Sequence, residues 1–177
     1  MYGENELLIP NSGRQTVIPE NYLTAASAEP GADDYRQIVY LDFDGAETSY
    51  HNRDLNMAID TVLVEDSGFS STDISLIVKV LNEQFGDDVV FTAELPKAGE
   101  YSTVYIGPTE AFRSYGAFLG LAETIDVGNE IHNDNAFVFL NSSASLDTLV
   151  SVIAHETAHI VYGRDHGGEC LQRFASD

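Results

Sequence analysis

Basic residues are scarce in this chain of 177: eight Lys and Arg stand against 29 Asp and Glu, a formal charge of −21. So acidic a surface repels polyanions, which excludes nucleic acid and anionic membrane surfaces as expected partners. It favours solubility, cationic ligands and calcium, or serves simply as a solvated acidic face. Cysteine is nearly absent. Cys170 alone can form neither an intramolecular disulfide nor a four-cysteine zinc site. Long apolar runs are missing as well, none approaching the ~20 residues that span a bilayer, so no membrane insertion is expected. The opening "MYGENELLIP" lacks the charged start and apolar segment of a secretory signal, yet it also fits a mature form from which a signal has been removed. The expected location is therefore secreted or extracytoplasmic.

With 44% hydrophobic residues the chain can bury a full core, and its length predicts a single domain, expected as a monomer. Residues 1–34 are rich in Asn, Ser, Ala, Pro, Gly and Glu and show no sustained periodicity. They are expected to form an extended or disordered arm, such as a pro-segment remnant. The folded domain is placed at 35–177. Within it "YRQIVYLDFDG" and "TVLVED" predict strands, the first more firmly. "STDISLIVKVLNEQFGDD" has a Ser/Thr/Asp cap, helical spacing of Ile74, Ile77, Val78, Leu81 and Phe85, and a stop at Gly86. "VVFTAEL", "STVYIG", "GAFLGLAETID" and "NAFVFLN" predict further strands, the third more exposed. "SASLDTLVSVIAHETAHIVYG" predicts a long helix capped by its Ser/Asp start and ended by Gly163. The expectation is a mixed α/β fold, of the α+β kind, with two main helices, the second carrying the chemistry.

That chemistry lies in "HETAHIVYGRDH", residues 155–166, which holds three of the five histidines. Residues i and i+4 share a helix face, so His155 and His159 can point imidazole nitrogens at one ion. Glu156 lies about 100° round the helix, near enough to hold a water without taking a ligand position. This suits zinc, whose three protein ligands leave a fourth place for a water with its pKa lowered to about 7; a carboxylate then takes the proton.

The stretch resembles the metzincin clan of zinc metallopeptidases, its adamalysin-like members above all, whose motif is His-Glu-x-x-His-x-x-Gly-x-x-His. The order of strands and helices over roughly residues 35–166 is similar to the clan's upper subdomain. The resemblance implies a zincin-like mixed sheet, one zinc per chain held by His155, His159 and His166, and Glu156 as catalytic base and acid. It implies cleavage of protein or peptide substrates, lying antiparallel on an edge strand for which "FLGLAETID" is the candidate. An ordinary edge strand or loop is the competing reading of that segment.

Two departures stand out. Three residues, Ile160, Val161 and Tyr162, separate the second histidine from Gly163 where the clan has two, which turns the helix exit by about 100° and advances it by about 1.5 Å. The Gly163-to-His166 interval is kept, favouring His166 as third ligand. Counting from His155 instead favours Asp165, as in snapalysin-like members, and Glu169 is a further option. Asp165 also suits the role of orienting a ligand histidine. The clan's methionine turn has no counterpart either, since only 11 residues follow His166 and Met1 and Met57 precede it. A zinc-containing binding or scaffold domain with a degenerate site is the alternative reading.

Other signals are weaker. "IVYLDFDG" resembles the nucleophile motif of haloacid-dehalogenase-like phosphatases, which would also need an acidic pair after a strand, whereas Asp87 and Asp88 follow a predicted helix. Asp42 and Asp44 are expected as solvated strand-end carboxylates, with calcium binding possible. His51 and His132 are expected at the surface, and Tyr162 as a packed tyrosine.

Overall fold

A computed structural model describes residues 6–11, 14–19, 36–52 and 55–163. Asp165, His166, Glu169 and Cys170 lie outside the described residues.

Within the segment expected as an arm, β1 (Glu6–Asn11) pairs antiparallel with β2 (Arg14–Pro19), Glu6 opposite Pro19. The rest builds on one mixed sheet. Its strands are β3 (Gln37–Asp42), β6 (Val89–Thr92), β7 (Ser102–Ile106), β8 (Gly120–Ala122) and β9 (Asn135–Val138). Their spatial order is β6-β3-β7-β9-β8. The first four run parallel and β8 runs antiparallel to β9 at the edge. A separate antiparallel pair, β4 (Ala46–Asn52) and β5 (Met57–Val64), connects β3 to α1 (Ser71–Phe85), and α2 (Leu146–Tyr162) follows β9.

Alternation along the strands sends successive side chains to opposite faces, and here both faces are covered. Val39, Leu41, Val104, Ile106, Ala136 and Val138 share one core with Leu76, Ile77 and Leu81 of α1 and Leu149, Ile153 and Ile160 of α2. Leu121 and Phe137 face the other way, into a second core with Tyr50, Met57, Val62, Val64 and Phe112. Tyr50 meets Phe112 and Phe137 edge-on at 5.0 and 5.6 Å. Each fully buried Leu, Ile or Phe contributes about 1.5–3 kcal/mol, so both layers hold the sheet. No helix among the described residues is long and apolar enough to cross a membrane.

The helices follow their caps. Ser70 accepts from the Asp73 N–H while Asp73 returns a bond to the Ser70 N–H, a reciprocal box that starts α1. β4 was not expected: "AETSYHN" has no apolar run and only Tyr50 and Asn52 buried, its partner being supplied by β5. β5 also begins earlier than "TVLVED". β8 is shorter and more buried than expected, Gly120 and Leu121 both being shielded from solvent.

A polar seam crosses the sheet near the start of β9. Gln37 Nε2 donates to Ser102 Oγ at 3.0 Å and to the His132 carbonyl at 3.2 Å. The hydroxyls of Ser102 and Thr124 both donate to the Asp134 carboxylate. Burial nonetheless pushes Asp134 up to about 6, with nearby Asp126 acting in the same direction. A carboxyl whose folded pKa exceeds the unfolded value of about 3.9 binds a proton more tightly when folded, so its contribution to stability is present below pH 4 and is lost by about pH 6. Asp134→Asn should remove that component. Chemical denaturation at pH 4 and pH 7 should show wild type losing about 1–2 kcal/mol relative to the variant between the two. Parallel stability profiles would refute the assignment.

Candidate metal and catalytic site

α2 starts where Ser145 Oγ accepts from the Thr148 N–H at 3.2 Å, and it ends at Gly163, which is left-handed with φ 56° and ψ 32°. Glycine is needed there twice over, since a Cβ would also lie 2.4 Å from the Val127 Cα. The loop after β8 is fastened to the same end of the helix, with the Asp126 N–H donating to the His159 carbonyl at 3.0 Å.

With Leu149, Val152, Ile153 and Ile160 turned to the sheet, the face carrying His155 and His159 lies to one side. Their Nε2 atoms are 3.2 Å apart and the rings stand at 85°. Two nitrogen ligands of one tetrahedral zinc, each about 2.0–2.1 Å from the ion, are separated by roughly 3.3 Å. The pair therefore fits two corners of a zinc site; a hydrogen bond between neutral imidazoles is the other use of this geometry. His159 is 1% exposed and His155 half-buried. Among the described residues no group of three or more His, Cys, Asp or Glu side chains converges on a metal position.

Glu156 is 3% exposed, and its Oε2 has no hydrogen-bond partner. Burial pushes its carboxyl up to about 8. Its neighbour is Gly120 of β8: a Cβ there would lie 2.5 Å from Glu156 Oε1 and 2.7 Å from Cδ and Cγ. The carboxyl thus fills the space a side chain at position 120 would need. A buried carboxyl with one unpartnered oxygen is costly to keep charged, and a nearby divalent cation would favour its charged form.

Several sequence candidates lie apart from this centre. His51 and His132 are exposed, as expected, His51 within 3.9 Å of Asp60 and His132 bonded to the Asn129 carbonyl. Tyr162 was expected to be packed but is exposed, with one ring face stacked on Phe85 and its hydroxyl donating to Asp88. Asp42 ends β3, accepts from the Asp44 N–H, and is raised by burial. Asp88 immediately precedes β6, which runs parallel to β3, so Asp42 and Asp88 fall at opposite ends of the sheet. That separation removes the phosphatase arrangement.

The sequence reading missed Gly120 as Glu156's neighbour, although a glycine inside a strand pattern is a sign of close approach. Comparisons with protein-family models, curated proteins and solved structures gave no match.

Gly120→Ala should crowd Glu156 and lower stability by about 1–3 kcal/mol, as overpacking does. In a Glu156→Ala background the added methyl should be nearly neutral. A double-mutant cycle on urea unfolding measures this coupling, and additive effects would show that the two residues do not share the space.

Proposed function

We propose that the protein is a zinc-dependent endopeptidase that hydrolyses protein or peptide substrates, secreted or extracytoplasmic and holding one zinc per chain. The observation that carries the reading is the 3.2 Å approach of the His155 and His159 Nε2 atoms, which suits two ligands of a single zinc, with Glu156 the next residue along the helix. The third ligand is proposed as His166. The antiparallel edge strand β8, against which Glu156 packs, further supports a metzincin-like arrangement, since the resemblance assigns the substrate to that edge.

When bound, the ion supplies the Lewis acid that acidifies a water and polarises the scissile carbonyl. Glu156 takes the proton of the attacking water and passes it to the departing amine. Its apolar surroundings make it a strong base once charged, and packing against Gly120 restricts its rotamers. Gly163 allows the chain to leave α2 at the turn where a third ligand can fold back.

The burial of Glu156 favours a second reading, a zinc-containing binding domain without turnover, because a carboxyl only 3% exposed is difficult for a substrate's water to reach. Metal analysis and a peptide-library assay separate the two. The endopeptidase predicts one zinc per chain, chelator-sensitive cleavage, loss of zinc in His155→Ala and His159→Ala, and a drop of about 10²–10⁴ in kcat with zinc retained in Glu156→Ala. Full zinc with no cleavage across the library would establish the binding domain instead. Cleavage that survives both chelation and Glu156→Ala would end both readings.

A further inference from the structure

The edge of β8 is closed by the chain's own hairpin at Ala122, two residues from the Gly120 against which Glu156 packs. The pairing of Leu121 with Phe137, together with the bonds from Phe139 N–H to the Leu119 carbonyl and from Glu123 N–H to the Asn135 carbonyl, turns the odd-numbered residues toward β9. The N–H and C=O groups of Gly120 and Ala122 therefore point away from β9, to the side on which no strand among the described residues pairs with β8. At Ala122 the carbonyl is already used: it accepts from Tyr50 Oη at 3.1 Å and from Asn52 Nδ2 at 3.2 Å, filling both lone pairs. Between them, the His51 N–H donates to Glu123 Oε1 at 3.0 Å, and Glu123 Oε2 accepts from Asn135 Nδ2 at 2.9 Å. Three consecutive residues of β4 thus clamp the last residue of β8 and the one that follows it.

An added strand forms its regular bonds in pairs spaced two residues apart. With Glu156 lodged under Gly120, the reacting bond of a peptide on this edge lies at Gly120. An antiparallel strand, the more stable pairing, would carry its residues before the cleaved bond toward Ala122. There the next acceptor is occupied, and the hairpin lies in the continuing path.

We propose that Tyr50 and Asn52 are specificity-determining residues that close the edge at Ala122, so that substrates engage the site through only a short segment upstream of the cleaved bond. This rests on the peptidase reading and narrows its substrate class to peptides, or accessible chain ends, cut a few residues from the amino terminus. Tyr50 is fixed in the second core and Asn52 Oδ1 also accepts from the Leu55 N–H at 2.8 Å, so both donors are held in place from behind.

The test uses the full chain with zinc and a peptide series having one common cleavage site, a constant downstream part and one to five upstream residues. Wild-type kcat/KM should rise up to two upstream residues and then change by less than about threefold. Tyr50→Phe/Asn52→Ala, which frees the Ala122 carbonyl, should gain about tenfold from the third and fourth residues, the worth of one main-chain hydrogen bond. Tyr50→Phe alone keeps the buried ring and should show part of the gain, so the test survives if the double variant folds poorly. A wild-type rate that keeps climbing with length, or variants with the wild-type plateau, would overturn the proposal. If wild type cleaves no peptide, the peptidase reading fails separately, and anisotropy titrations of the same labelled peptides read the length dependence as binding. Affinity that plateaus at two upstream residues in wild type alone supports edge closure, and affinity that grows equally in both overturns it.

Discussion

The Glu156 carboxyl and the missing side chain of Gly120 occupy one volume, and this contact fixes how α2 meets the edge of the sheet. Were residue 120 any larger, the helix would have to move away from β8 or the carboxyl would have to turn. Either change would disturb the neighbouring contacts, because the Asp126 N–H is bonded to the His159 carbonyl and Gly163 lies against Val127. Protein interiors transmit such displacements because they are close-packed. The two imidazoles, one turn apart, share whatever position the helix takes.

Local order was legible in the residues themselves. The Ser/Thr/Asp start of α1, whose cap the structure places one residue earlier at Ser70, the Ser145 cap, the glycine stops at 86 and 163 and the apolar stripes between them mark both helices, because a helix is specified within a few turns of its own sequence. The buried strands of the parallel set were legible for a related reason: covered on both faces, they read as nearly continuous apolar runs. β4 was not legible, since its hydrogen-bonding partner is β5 and its two buried side chains face β8 and the aromatic core. Nothing in "AETSYHN" announces either.

The same division runs through the candidate site. His155, Glu156 and His159 could be grouped from sequence alone, because four residues along a helix return to one face. Gly120 is joined to Glu156 across 36 positions, and Tyr50 and Asn52 reach Ala122 across 72 and 70. Contacts at such separations are products of the fold, and a strand glycine is the one local sign that any of them leaves. The structure also makes the role proposed for Glu156 more demanding than the motif implied. The motif asks only for a carboxylate beside the ligands, whereas here the group is buried with one oxygen unpartnered.

An edge strand offers unpaired backbone groups to any passing chain, so folded proteins shorten, twist or cover such edges. β8 is short, three residues, and β4 covers its far end through Tyr50, His51 and Asn52. Beyond the clamp lies Gly120, the residue under which Glu156 lies, shielded from solvent but with its N–H and C=O turned away from β9. The unclamped residue of the edge and the proposed reacting group thus coincide, and on the peptidase reading the atoms that protect the sheet from unwanted pairing would also set how much of a peptide it can hold. Stabilising the hairpin would tighten that limit, while loosening it would expose both the Ala122 carbonyl and the aromatic layer around Phe137. Selectivity and sheet protection therefore cannot be varied independently at this edge.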